Sequence, residues 1–259
     1  MIQLENVTKE FQLSKQQRKE LNTNARSIKA VDNISFLCQP GRIFSLLGPN
    51  GAGKTTTLRM IATILEPSNG SIIVSGHNVK TSGQEVRSNI GFLTGSTGLY
   101  QRLTPNELIQ YFANLYRVDS NVFKERKEHL FSLLDMHDFQ NKRIGQLSTG
   151  MKQKVSITRT MIHDPQVVVF DEPTSGLDVI TAENIIQLIR QCKKEGKTVI
   201  FSSHIMSEVD LLCDDLAIIH KGRLCFNDTM NAFRKEMGSV SLTEAFINVI
   251  SSAKKSDPS

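Results

Sequence analysis

Apolar and polar positions along the chain follow two rhythms. Residues 2–7 alternate apolar and polar side chains, as a half-buried strand does. Residues 34–38 and 43–47 are further short apolar runs, split by the turn-forming Gln39-Pro40-Gly41. Residues 72–75, 90–93, 167–170, 198–202 and 216–220 continue the series of predicted strands. Between them, residues 54–65, 105–116, 122–134, 151–162 and 180–192 carry the longer amphipathic spacing of helices. Strands alternating with helices predict an α/β fold around a parallel sheet. The opening strands have only short or loop-like links, which predicts an additional antiparallel β layer. Three segments break the rhythm. Residues 12–29 are polar, rich in Lys, Arg, Gln and Asn, and predict a long loop. Residues 95 to about 162 are mostly helical and predict a helical subdomain. Residues 251–259 predict a polar, disordered tail.

Composition narrows the class. A chain of 259 residues suits one large domain, spanning residues 1–259. With 39% hydrophobic and 22% charged residues, it is neither a disordered chain nor a collagen, and it has too few cysteines for a disulfide scaffold. Cys38, Cys192, Cys213 and Cys225 show no paired short spacing and are expected to be buried, reduced thiols. No apolar run approaches the ~20 residues of a membrane span. The N-terminus lacks an apolar signal core, so secretion is not expected. The formal charge of +5 suggests an anionic partner such as nucleic acid, a membrane surface or a nucleotide. That charge is local. Residues 12–29 hold Lys15, Arg18, Lys19, Arg26 and Lys29 against Glu20, and residues 251–259 hold Lys254 and Lys255 against Asp257. The remainder is formally neutral, so anion binding there must rest on placed groups. The basic insertion reads as a solvated loop or as an arm near lipid, nucleotide or a membrane partner.

One such placed group is evident. Gly48-Pro49-Asn50-Gly51-Ala52-Gly53-Lys54-Thr55 matches G-x-x-x-x-G-K-[ST] without a mismatch, between a strand run and a helical run. This is a phosphate-binding loop of P-loop NTPase type. Its glycines let several N–H groups converge on one centre, at a helix N-terminus that favours negative charge. Lys54 can reach the β- and γ-phosphates, and the Thr55 hydroxyl can ligate Mg²⁺.

A second element completes the chemistry. The apolar run 167–170 ends in Asp171 and Glu172. A carboxylate at a strand end can hold Mg²⁺, which suits Asp171. Glu172 can orient and deprotonate an attacking water. His204 follows the predicted strand 198–202, and in open α/β sheets ligands gather at such strand ends. It can hydrogen-bond a γ-phosphate and position the water.

With Leu147-Ser148-Thr149-Gly150-Met151-Lys152-Gln153, Asp171-Glu172-Pro173-Thr174-Ser175-Gly176-Leu177-Asp178 and Ser202-Ser203-His204 following the phosphate loop in order, the chain resembles the ATP-binding subunits of ABC transporters. The resemblance spans nearly the whole chain. It implies an ATP-dependent head-to-tail homodimer with two ATPs at the interface. One subunit would supply residues 48–54, Thr55, Thr56, Asp171, Glu172 and His204. Its partner would supply Ser148 and Gly150 at a second helix N-terminus. Asp178 would couple the two sites, and Phe11 would stack on adenine. The resemblance also implies ATP and Mg²⁺ as cofactors and a multi-span permease as partner. It places the chain peripherally, on the cytoplasmic face of the cell membrane. The helical subdomain would dock on the permease, with Leu99, Tyr100, Leu103, Leu108, Tyr111 and Phe112 as candidates for the groove or for internal packing. No direct nucleic-acid partner is expected.

Two departures stand out. Gly95 occupies the slot where most members carry a glutamine, so Ser96, Thr97 or a water is expected to substitute. Thr149 and Met151 replace the usual glycine and glutamine, while Ser148 and Gly150 are kept. The stretch 90–100 and the lysine-rich insertion look most like the NatA-type sodium-efflux ATPases. The alternatives are export of drugs, haem or lipid-linked polymers. A soluble ATPase acting on ribosomes or DNA is a further alternative, disfavoured by a single ATPase half without sustained heptads.

Overall fold

The computed structural model describes residues 1–20, 22–94, 98–238 and 240–255. In chain order the elements are β1 (Ile2–Gln12), α1 (Lys15–Glu20), β2 (Ser27–Cys38), β3 (Ile43–Leu47), α2 (Lys54–Ile61), β4 (Asn69–Val74), β5 (His77–Asn78), α3 (Gly83–Asn89) and β6 (Ile90–Thr94). They continue with α4 (Pro105–Leu115), α5 (Ser120–Leu133), α6 (Thr149–Met161), β7 (Val167–Asp171), α7 (Val179–Lys194), β8 (Thr198–Ser203), α8 (Met206–Leu212), β9 (Asp215–His220), β10 (Arg223–Thr229), α9 (Met230–Met237) and α10 (Leu242–Lys255). Two 3₁₀ turns, His137–Phe139 and Ile144–Gln146, lie between α5 and α6.

Two sheets result. One is antiparallel, in the order β2-β1-β4-β5. The other runs β10-β9-β3-β8-β7-β6 and is parallel except at β10. The strands β3, β7 and β8 are buried at every position, as strands covered on both faces must be. Their alternation divides the core in two. Phe44, Leu46, Val167, Val169 and Ile200 face β1, β2, β4 and α2. Ile43, Leu47, Val168, Phe170, Val199 and Phe201 face the helices α4–α7. Phe36 of β2 stacks on Phe44 with ring centroids 4.9 Å apart, joining the two sheets. Burying each such side chain contributes roughly 1.5–3 kcal/mol. Leu108, Phe131 and Ile144, from the helical stretch between β6 and β7, belong to the same core as the sheet.

Helix starts follow local chemistry. At α4 the Thr104 hydroxyl accepts from Glu107 N while the Glu107 carboxylate accepts from Thr104 N, with Pro105 at the first helical position. At α7 Asp178 accepts from Thr181 N.

The predicted strands and helices are present with end shifts of a few residues, except that β1 runs to Gln12 and β2 starts at Ser27, well beyond the expected 2–7 and 34–38. Three expectations change. Residues 12–29 are not one long loop: β1 runs to Gln12, β2 starts at Ser27, and α1 sits between them. The ladder continues through Phe11 opposite Ile28 and Gln12 opposite Ser27, so the basic insertion is the tip of a hairpin. Backbone pairing sustains strands there even though most side chains face solvent. The tail is helical to Lys255, with only residues 256–259 outside the described residues. Leu242, Phe246, Val249 and Ile250 pack that helix on the core, and Ser241 and Glu244 cap it reciprocally. Finally β10, a half-exposed edge strand, follows β9 through a two-residue turn with Lys221 (φ 47°) and Gly222 (φ 81°) in the left-handed region. Its polar composition hid it. The four thiols are free, Cys38 and Cys192 buried, and Cys213 and Cys225 only partly so.

Candidate active site

The order β3-β8-β7 brings three strand ends together. The register pairs Leu47 with Ser203 and Asp171 with Ser202, so the phosphate loop after β3, the acids at the end of β7 and the serine-histidine segment of β8 share one edge.

The loop's glycines are required by close approach. A Cβ at Gly48 would collide with the Ile219 carbonyl oxygen. A Cβ at Gly53 would sit 2.5 Å from the Ala30 carbonyl oxygen, at φ 110°. Helix α2 starts at Gly53 with no side-chain cap, which leaves its first amides for an anion. Lys54 is buried, and its Nζ donates to the carbonyls of Gly48 at 2.6 Å and Pro49 at 3.2 Å. Burial pulls its ammonium below the usual lysine range, opposed by the carboxylates of Glu172 and Asp171.

Asp171 is buried, and one of its oxygens, Oδ1, accepts from Thr55 Oγ1 at 3.1 Å and Ser202 Oγ at 2.7 Å. Thr55 and Asp171 are hard oxygen donors in contact, a pair that fits magnesium. That ion takes one or two protein oxygens and completes its shell with water and phosphate. Among the described residues no group of three or more His, Cys, Asp or Glu could hold a metal ion.

Glu172 stands at φ 50°, a conformation that costs a non-glycine residue of order 1 kcal/mol and is held by its surroundings. Its N–H donates to Ser202 O at 3.2 Å and Ser202 Oγ at 3.1 Å. Its Oε1 lies 3.3 Å from His204 Nδ1 and 3.9 Å from Lys54 Nζ. The His204 side chain is 49% exposed and that of Glu172 30%, so water reaches both. A carboxylate, an imidazole and an ammonium thus converge beside a phosphate loop, an arrangement able to bind a triphosphate and activate a water. Ser202 carries much of this geometry. The sequence marks it only as part of Ser202-Ser203-His204, and its signal is a hydroxyl on the central strand between two site-bearing strands.

Ser148 and Gly150 form a second cluster. Ser148 caps α6 by accepting from Met151 N at 3.2 Å, and a Cβ on Gly150 would lie 3.5 Å from Asp178 Oδ2. Hydrogen bonds from the Thr181 N–H and hydroxyl draw the Asp178 carboxyl below its usual range. Among the described residues no hydrogen bond or ion pair joins this cluster directly to Lys54. It touches the acidic loop through Gln153 Nε2, which donates to Pro173 O at 3.0 Å. Phe11 is half-buried on the β1–β2 hairpin under the Lys9 ammonium, 5.1 Å from the ring centroid. Of the docking candidates, Leu99 and Leu108 are buried, Leu103 and Phe112 partly so, while Tyr100 and Tyr111 are exposed. Gly95, Ser96 and Thr97 lie outside the described residues.

Fold and site together define a P-loop nucleotide-binding cassette. The family model for ABC transporters matches residues 31–175, and the chain belongs to that family. It is therefore an ABC-type ATPase. It is 41% identical to the ABC transporter ATP-binding protein NatA of Bacillus subtilis over 96% of this chain and 97% of the relative. It is 35% identical to the Nod factor export ATP-binding protein I of Burkholderia pseudomallei, over 74% of this chain and 64% of the relative. It also matches the dimeric post-hydrolysis state of an ATP-binding cassette bound to ADP and Pi. The TM-score is 0.77 at 25% identity, covering 89% of this chain and 99% of that one.

Proposed function

We propose that the chain is the ATP-hydrolysing subunit of an exporter, driving a separate multi-span permease from the cytoplasmic face of the membrane, with sodium ion as cargo. The observation that carries the hydrolytic assignment is Glu172 Oε1, 3.3 Å from His204 and 3.9 Å from Lys54. In this reading the amides of Gly51, Gly53 and Lys54 cradle the β-phosphate, with Pro49, Asn50 and Ala52 shaping the turn. Thr56 supports the α-phosphate, and Phe11 stacks on adenine. Thr55 and Asp171 would hold Mg²⁺, which when bound would supply charge neutralisation on the terminal phosphates. Glu172 takes the proton of the attacking water through its free oxygen. His204 holds that carboxylate and the γ-phosphate in line, and Lys54 turns from the loop carbonyls to the phosphates. Ser148 and Gly150 of a second copy close the far side of the nucleotide, and Asp178 couples the two sites. The dimeric relative with ADP and Pi supports that assembly.

No helix among the described residues is long and apolar enough to cross a membrane, which is consistent with a peripheral subunit. The helical stretch between β6 and β7 offers Tyr100, Tyr111, Leu115 and Tyr116 at its surface as the permease-facing patch. The resemblance to sodium-efflux ATPases and the near full-length match to NatA support sodium. The match to a Nod factor export protein favours export of another solute, such as a drug, haem or a lipid-linked polymer, as the second reading. Reconstitution with the permease encoded beside it, and measurement of ATP-driven radiosodium flux, tests the cargo. Flux of another solute without sodium would overturn it.

A further inference from the structure

Helix α8 begins two residues after His204, and its first turn carries a buried acid for which the mechanism above has no use. Glu208 is 9% exposed, Thr174 6% and Ser203 2%. Thr174 Oγ1 donates to Glu208 Oε1 at 2.5 Å, and Ser203 Oγ donates to Glu208 Oε2 at 2.9 Å. Among the described residues no lysine or arginine pairs with this carboxylate. Its two oxygens accept from two hydroxyls, Thr174 in the loop after β7 and Ser203 at the last position of β8.

Both residues adjoin the site. Thr174 is two residues beyond Glu172. Ser203 immediately precedes His204. An ionised carboxylate only accepts, so it fixes the direction of both hydroxyl protons. With its proton committed to Glu208, the Ser203 oxygen presents a lone pair to Ile205 N, from which it accepts at 3.0 Å. The backbone on both sides of His204 is thereby held. On the other side Thr174 anchors the turn in which Ser175 N donates to Glu172 O at 3.3 Å. One side chain therefore joins the loop bearing the carboxylate to the loop bearing the imidazole, across the gap where Glu172 and His204 meet.

We infer that Glu208 is a positioning residue for hydrolysis, setting the Glu172–His204 geometry through Thr174 and Ser203 without touching nucleotide. This rests on the assignment of Glu172 and His204 above. A glutamine at 208 is nearly isosteric but offers one acceptor and one NH₂ group, so one of the two hydroxyls must reverse. ATP binding, which uses the phosphate loop, is left alone.

The test is steady-state ATPase activity of the full-length Glu208→Gln, Thr174→Val and Ser203→Ala variants beside wild type and Glu172→Gln, with thermal unfolding of each. The expected result for Glu208→Gln is a kcat lowered about tenfold with the KM for ATP within about twofold, the signature of a contribution made in the transition state. In a His204→Ala background, adding Glu208→Gln lowers kcat by less than about twofold, because both changes disable the same geometry. Should Glu208→Gln not fold, Thr174→Val and Ser203→Ala, which break one tie each, must lower kcat at constant KM. Wild-type kcat in folded tie-breaking variants, or equal losses with and without His204, overturns the inference. Wild-type turnover in Glu172→Gln overturns instead the assignment on which it rests.

Discussion

His163, two residues past α6, makes stability depend on pH. Its ring stacks on Tyr116 with centroids 3.8 Å apart and planes 8° apart, and Nε2 lies 3.2 Å from the Ile90 carbonyl oxygen. Burial lowers its pKa from 6.5 to about 4, outweighing the Ile90 carbonyl and Asp164, which favour the cation, while Arg126 opposes it. Well above pH 6.5 the ring is neutral in both folded and unfolded chains. Between pH 6.5 and about 4 the unfolded chain takes up a proton that the folded chain does not, so stability falls as pH falls through that window. The full gap corresponds to about 3 kcal/mol, and between pH 7.5 and 5 the loss from this group is about 2 kcal/mol. His163→Phe keeps a ring against Tyr116 and removes the titration. Urea unfolding at both pH values, for wild type and variant, measures the difference: wild type should lose about 2 kcal/mol more than the variant. Equal losses, or an imidazole NMR titration midpoint near 6.5 in the folded chain, would refute the reasoning.

Two predictions concern the phosphate loop. Lys54→Ala removes the buried ammonium beside Glu172 and should abolish ATP binding or turnover, read by fluorescent-nucleotide titration and phosphate release; wild-type kinetics would remove the loop from the site. Gly53→Ala forces a Cβ to 2.5 Å from the Ala30 carbonyl at φ 110°, and should weaken nucleotide binding at least tenfold while lowering the unfolding temperature. Unchanged binding would mean that the loop tolerates a shift of the β2 backbone.

The phosphate loop, Asp171, Glu172 and His204 were legible because each lies at the end of an apolar run, where position in sequence translates directly into position at a sheet edge. Glu208, Ser202 and Gln153 were harder to read. Their partners lie 34, 31 and 20 residues away and meet them only once β7 and β8 pair and α6 packs beside them. The antiparallel layer was legible in outline, but the continuation of β1 and β2 into polar sequence was not, since a hairpin tip held by backbone ladders needs no apolar alternation. Helix α10 carried its own signal, the Ser241-x-x-Glu244 cap ahead of Leu242, Phe246 and Val249, masked by the polar residues that follow. Side-chain identity alone does not separate buried from exposed positions in α4, where Leu108 is fully buried and Tyr111 is 45% exposed.

If Glu172 activates the attacking water, single-turnover ATP hydrolysis by Glu172→Gln will show it, with the oligomeric state followed by light scattering in the presence of ATP. The expected rate is lowered roughly 10²–10⁴-fold, with nucleotide still bound and dimers accumulating. Hydrolysis at the wild-type rate, with no accumulation of ATP-bound dimers, would contradict it.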